Sequence, residues 1–225
     1  MMTRPTLQRR LFAEALGTAL LLAVVIGSGI MGERLAAGNE AVALLANTLA
    51  TGAGLMVLIT VFGPISGAHF NPAATLVFTL RREMPVTEAL AYAVVQVCGG
   101  LVGAFAAHLM FGLPVLQVSA HLRDGPALAF SEALATFGLI ATILGCLRLR
   151  PEMTAVCVGL YIAAAYWFTA STSFANPAVT IARSLSNTFA GIAPSSAPAF
   201  IGAQIVGALV AWAVMGWLAK EENPA

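Results

Sequence analysis

Six stretches of this 225-residue chain, roughly 10–31, 42–63, 86–111, 127–147, 153–171 and 198–219, are apolar for about twenty residues each. That is the length an α-helix needs to cross ~30 Å of hydrocarbon. Inside a bilayer no water serves the backbone, so every N–H and C=O must be satisfied within the protein; helices do this segment by segment. The expected fold class is therefore an all-α membrane protein. Composition agrees, because only 9% of residues are charged, against about 25% in soluble domains. A net charge of +1 gives nucleic acid nothing to bind.

The first stretch follows Arg4, Arg9 and Arg10, as the core of a signal peptide would. It runs on to about Met31, contains Glu14 and has no small-x-small cleavage site before polar sequence. It reads as an uncleaved span. Cys98, Cys146 and Cys157 lie in apolar stretches without metal-ligand spacing, and read as small packing residues.

Two shorter apolar stretches remain, from Asn71 to about Leu80 and from Asn176 to about Leu185. About ten residues at 1.5 Å each reach halfway through a bilayer. Paired short segments at corresponding places in two halves point to a site near the midplane. The halves do correspond. Phe12-Ala-Glu14-Ala-Leu16-Gly-Thr18 returns as Phe130-Ser-Glu132-Ala-Leu134-Ala-Thr136, Asn71-Pro72-Ala73 as Asn176-Pro177-Ala178, and Ala91, Gln96 and Gly99 as Ala199, Gln204 and Gly207. The order is preserved and the offsets of 118, 105 and 108 residues differ by loop-sized amounts. This is an internal duplication within a single domain spanning 1–225, with repeats at about 10–111 and 127–219.

Each repeat holds three full spans and one half-span. Three crossings are an odd number, so the second repeat enters from the opposite side and the two short segments approach each other. Basic residues set the orientation. With the N-terminus inside, Arg4, Arg9, Arg10, Arg81, Arg82, Arg148, Arg150 and Lys220 fall on the inner side, and only Arg34, Arg123 and Arg183 fall outside. Eight against three follows the positive-inside rule.

Asn-Pro-Ala is a good helix start: Asn as N-cap accepts from orphan backbone N–H groups, and Pro at N1 has none to leave unsatisfied. The first segment ends at Arg81 and Arg82, which suit a helix C-terminus. Irregular backbone at membrane depth survives only in protein or along a watery path. Residues 63–70 and 171–175 are therefore expected to line a cavity with carbonyls facing it. A third copy, Asn223-Pro224-Ala225, ends a polar tail with no helix after it, and reads as chance.

Ser66-Gly67-Ala68-His69-Phe70-Asn71-Pro72-Ala73 together with Asn176-Pro177-Ala178 resembles the paired signature of the aquaporin (major intrinsic protein) family. The resemblance covers nearly the whole chain. It implies six tilted spans plus two re-entrant half-helices, a homotetramer with one pore per protomer, and passage of small neutral solutes. In such channels selectivity rests on pore width, lining donors and the positive ends of half-helices. The side-chain amides of Asn71 and Asn176 would then donate to a passing oxygen.

The chain also departs from the family. Most relatives carry an Arg three positions after the second Asn, and here that position is Val179. Carrying over the other constriction positions gives Thr51, Ala164 and Ser173. None is bulky, so the expectation is a wider, less cationic constriction with the hydroxyls of Thr51 and Ser173 as polar handles. Arg183 lies one turn beyond Val179 on the same face; it either reaches the outer mouth or snorkels as a loop-pairing residue. The segment from Val179 to Ile192 is similar to a bacterial subgroup lacking the filter Arg. Some of that subgroup are linked to export or uptake of arsenic species, which makes glycerol and arsenous acid expected solutes beside water.

Glu14 and Glu132 are ionisable groups inside spans, which are costly and usually functional. The resemblance implies that they accept hydrogen bonds from the motif loops, with Gln96 and Gln204 satisfying nearby backbone. His69 is expected in the pore wall, with a pH gate as the alternative. His108 and His121 give no clear signal, and Gly17, Gly99 and Gly103 suit close helix approach. No nucleophile–base set, phosphate loop or metal cluster appears, so neither an enzyme nor a cofactor is expected. A proton-coupled transporter using Glu14, Glu132 or His69, and a receptor-like or structural protein, are the competing readings; the paired caps favour a passive channel. Short loops suit a bacterial inner membrane, with both termini cytoplasmic.

Overall fold

A computed structural model describes residues 5–220. Arg4 and the Asn223-Pro224-Ala225 copy lie outside the described residues. Eight α-helices follow in order: α1 Leu7–Leu35, α2 Glu40–Ser66, α3 Pro72–Leu80, α4 Val86–Met110, α5 Pro126–Leu149, α6 Thr154–Phe168, α7 Pro177–Ser184 and α8 Ala197–Leu218. Five of them, α1, α2, α4, α5 and α8, are long and apolar enough to cross a membrane.

The fifth span differs from its expected limits of 153–171. Helix α6 has 15 residues, about 22 Å at 1.5 Å per residue, and a 3-10 turn at Pro151–Met153 lengthens it at one end. It stops at Phe168 because Thr169 turns extended, with its Oγ1 donating to the Ala165 carbonyl at 2.6 Å. The second span is longer than expected. Helix α2 runs through Pro64 to Ser66, and Gly67 closes it at φ 94°. Pro64 leaves the Thr60 carbonyl without its usual donor, and both residues line a cavity. Irregular backbone in the first half is thus confined to 67–71 rather than beginning at 63.

The two halves pack alike. α1 lies on α2 and α4, α5 lies on α6 and α8, α2 meets α6 between the halves, and each short helix, α3 and α7, touches both α4 and α8. Close approach is enforced by glycine. A Cβ on Gly99 would sit 2.2 Å from the Ala15 carbonyl oxygen, and one on Gly207 would sit 2.1 Å from that of Ala133. Phe12 and Phe130 are each 69% exposed, while Glu14 and Glu132, two residues further on, are each 0% exposed. The first pair faces outward as a lipid-contacting residue would; the second is turned into the interior. Cys98 is exposed, so it faces outward from α4 and does not pack in the core.

Six crossings return the chain to the face on which it started, so Pro5 and Lys220 share one side, the termini face. α3 runs from the middle of the molecule towards that face, and α7 from the middle towards the opposite one.

Candidate functional site

At the centre, the two Asn-Pro-Ala turns meet. Asn71 Oδ1 accepts from the Ala73 N–H at 2.9 Å, and Asn176 Oδ1 accepts from Ala178 at 2.9 Å and Val179 at 3.3 Å. Each side-chain amide also crosses to the other loop: Asn71 Nδ2 donates to the Ala175 carbonyl and Asn176 Nδ2 to the Phe70 carbonyl, both at 2.8 Å. An amide nitrogen carries two hydrogens, so each keeps one beyond this cross-link. Pro72 and Pro177 occupy the first helical turns.

The loops before each Asn carry strain at matched places. Ala68 and Phe70 adopt φ of 50° and 48°, and Ser173 and Ala175 adopt 49° and 48°. A left-handed non-glycine residue costs about 1–2 kcal/mol. Buried carboxylates hold these turns open. Glu14 accepts from the N–H groups of His69 (3.0 Å) and Phe70 (2.7 Å), from Ser66 Oγ (2.6 Å) and from Gln96 Nε2 (2.8 Å). Glu132 accepts from Phe174 (2.9 Å), Ala175 (2.9 Å) and Gln204 Nε2 (2.7 Å). Gln96 and Gln204 donate again to Thr75 and Thr180 Oγ1, whose hydroxyls donate to the carbonyls of Asn71 and Asn176.

A cavity of about 530 Å³ runs from Pro151 and Glu152 at the termini face, past both asparagines, to Tyr166, Ser173 and Arg183 towards the other face. Its wall is largely aliphatic, with Leu21, Leu55, Ile59 and Leu139 among the lining residues. Thr51, Ser173 and Val179 line it, as does Arg183. Ala164 does not. It is exposed on α6, and the cavity-facing residues of that helix are Val158, Ile162 and Tyr166. Those three recur every four residues, which is one helical face. Ala164 stands two residues from Ile162 and Tyr166, about 200° round the helix.

The wall that holds Thr51, Ser173 and Val179 also carries an aromatic ring and a guanidinium. Tyr166 contributes an aromatic ring, and its hydroxyl donates to Thr51 Oγ1 at 3.3 Å. Arg183 is 2% exposed; its Nε donates to the Ala190 carbonyl, and its guanidinium carbon lies 3.3 Å from the centroid of the Phe174 ring. Arg123, from the loop before α5, lies 5.2 Å from the same ring and donates from Nε to the Gly191 carbonyl at 2.8 Å. Ser173 Oγ is buried without a partner among the described residues.

His69 also lines the cavity, stacked on Phe78 with ring centroids 4.4 Å apart. Its Nδ1 lies 3.1 Å from Thr75 Oγ1. Because that hydroxyl gives its hydrogen to the Asn71 carbonyl, Nδ1 is the donor and Nε2 the acceptor in the neutral ring. His108 is a loop staple, with Nδ1 on the Val115 carbonyl and Nε2 on Ser186 Oγ, both at 2.9 Å. Tyr166, Phe174 and Arg123 escaped the sequence reading. The four-residue spacing of Val158, Ile162 and Tyr166 is the signal that finds the first. Phe174 and Arg183 stand 105 positions after His69 and Phe78, the same offset that relates the two asparagines.

A family model described as MIP, major intrinsic protein, matches residues 1–150. The chain is 55% identical over 218 residues to the aquaglyceroporin AqpS of Rhizobium meliloti (strain 1021), covering 97% of this chain and 93% of that protein. It is 30% identical over 231 residues to aquaporin NIP2-3 of Zea mays, covering 98% of this chain and 73% of that one. Among solved structures, the aquaglyceroporin from Plasmodium falciparum superposes with a TM-score of 0.75 at 18% identity, over 92% of this chain and 95% of that one.

Proposed function

From the premise that the chain belongs to the major intrinsic protein family and is an integral membrane channel, not an enzyme, we propose that it passes water, glycerol and small uncharged hydroxides such as arsenous acid. The observation that carries this reading is the continuous aliphatic cavity with two crossed asparagines at its middle. A neutral solute reaching that point exchanges water for the free amide hydrogens, so its barrier stays low. An ion loses solvation worth tens of kcal/mol in an apolar medium. A cation also meets two half-helix N-termini, each carrying roughly half a positive charge.

Thr51, Ser173 and Val179 are the wall positions to which this reading assigns solute selection, with His69 in the wall on the other side of the asparagines. Glu14, Glu132, Gln96 and Gln204 support the loops. Neither carboxylate lines the cavity, and each is occupied by loop N–H groups, so no observation favours a proton-coupled transporter. The outward apolar faces would be shared between lipid and neighbouring copies in a homotetramer. The termini face, with Arg9, Arg10, Arg81, Arg82, Arg148, Arg150 and Lys220, would be cytoplasmic in a bacterial inner membrane.

Stopped-flow light scattering on reconstituted vesicles, with water, glycerol, urea and arsenous acid in parallel, tests the reading. Passage of glycerol and arsenous acid is expected to exceed that of protein-free vesicles, to rise linearly with concentration and to ignore a proton gradient. Saturation, gradient dependence, or rates equal to empty vesicles would sink it. Val179→Arg is expected to narrow the range of solutes.

A further inference from the structure

We propose that the solute-selecting constriction of this chain is formed by Arg183 and Tyr166, with Ser173 as its free hydroxyl, so that the cation acts from one helical turn beyond Val179. The inference rests on the channel reading and adds the identity and position of the selecting groups.

The repeat itself shows why residue 183 faces the passage. In the first half, Phe78 lines the cavity with its ring against His69, two residues before Asn71. In the second half, Arg183 lines the cavity with its guanidinium on Phe174, two residues before Asn176. Both partners are shifted by 105 positions, as the asparagines are. A wall position that is aromatic at one end of the passage is thus a guanidinium at the other. Val179 has Ala74 as its counterpart, and both line the cavity as small apolar residues.

Arg183 is held as a wall group must be. The Phe174 backbone N–H is bound by Glu132, and its ring packs edge-on against Phe200 with centroids 5.2 Å apart. The guanidinium lies on that ring in the geometry of a cation–π contact, and the Nε–H is taken by the Ala190 carbonyl. A guanidinium has five N–H donors; among the described residues only the one on Nε finds an acceptor. The remaining four are left for what occupies the cavity. Arg123, on the same ring and anchored to Gly191, adds a second positive charge on that side. Glu132, behind the loop, is the carboxylate that offsets them.

Two further groups complete the ring. Ser173 is 3% exposed, lines the cavity, and its Oγ has no protein partner; a buried hydroxyl left so finds water or solute. Tyr166 gives its hydrogen to Thr51 Oγ1, which leaves the Thr51 hydrogen for the passage. Val179 and Ile162 are aliphatic residues of the same cavity wall. The wall thus mixes hydrogen-bond donors with aliphatic surface, which fits a molecule that carries both hydroxyls and C–H groups.

The test compares glycerol, erythritol and proton permeability of vesicles holding wild type, Arg183→Gln, Arg183→Lys, Tyr166→Ala and the double variant Val179→Arg/Arg183→Gln. Arg183→Gln is expected to raise the erythritol-to-glycerol ratio and the proton leak at least about tenfold, equivalent to about 1.4 kcal/mol of barrier. Arg183→Lys should keep the leak low, and the double variant should restore exclusion by placing a cation one turn inward. Tyr166→Ala should admit erythritol whether or not Arg183→Gln folds. Wild-type ratios and leak in Arg183→Gln vesicles that still pass glycerol would overturn the proposal, as would an unchanged size limit in Tyr166→Ala. Wild-type vesicles impermeable to glycerol would instead overturn the channel reading beneath it.

Discussion

The half-unit around α3 and the half-unit around α7 are the same hydrogen-bonded frame with different linings. Ser66 and Ser171 accept from the residue two further on, Ala68 and Ser173. Glu14 and Glu132 hold the left-handed turns, Gln96 and Gln204 reach Thr75 and Thr180, and the asparagines bond across to each other's loop. What differs is the chemistry facing the passage. The first half presents His69 on Phe78; the second presents Phe174 under Arg183, with Ser173 free beside it. Buried backbone groups must be satisfied in both halves, so the frame has little freedom. The lining answers only to the solute, and selection is free to sit at one end.

If the frame is common, breaking it should hurt both halves alike. Alanine at Glu14 strands four donors and at Glu132 three. At about 1–3 kcal/mol for each buried donor left unsatisfied, neither variant should yield folded channel by size exclusion in detergent, and Glu14→Ala should be the worse. A stable Glu132→Ala beside an unfolded Glu14→Ala would break the comparison. Glycine contacts come next. Gly99→Ala and Gly207→Ala each force a carbon against a neighbouring carbonyl, and each is expected to destabilise by about 1–3 kcal/mol, read as matched drops in thermal unfolding temperature. The smallest effect sharpens the contrast between linings. Ser173→Ala removes an orphan hydroxyl and should leave stability within about 0.5 kcal/mol while lowering glycerol passage relative to water. Equal loss of water and glycerol would place Ser173 outside the selecting ring.

Much of this frame is legible in the sequence because it depends on residue types with few substitutes. Asn followed by Pro starts a helix, a carboxylate inside a span must have donors, and the repetition of both shows the inversion. The limits of α2 and α6 were less legible. Pro64 marks a break to the eye, yet a cavity beside it serves the carbonyl it frees. Ser171-Thr172-Ser173 follows an apolar run that looks long enough to cross, although the helix has already ended at Phe168. The constriction was least legible. Carrying over the family's constriction positions lands on Ala164, and only the helical phase of Ile162 and Tyr166 shows which side of α6 meets the cavity. Arg123 reaches Phe174 through a loop whose path no local pattern encodes.

The measurement that bears most directly on the central claim is a density map of the channel in lipid nanodiscs equilibrated with glycerol. The account predicts the caps of Asn71 and Asn176 at the bilayer centre, their amides bonded across the two loops, and solute density continuous past them. Half-helices lying outside the bilayer, or caps held apart with no passage between them, would contradict it.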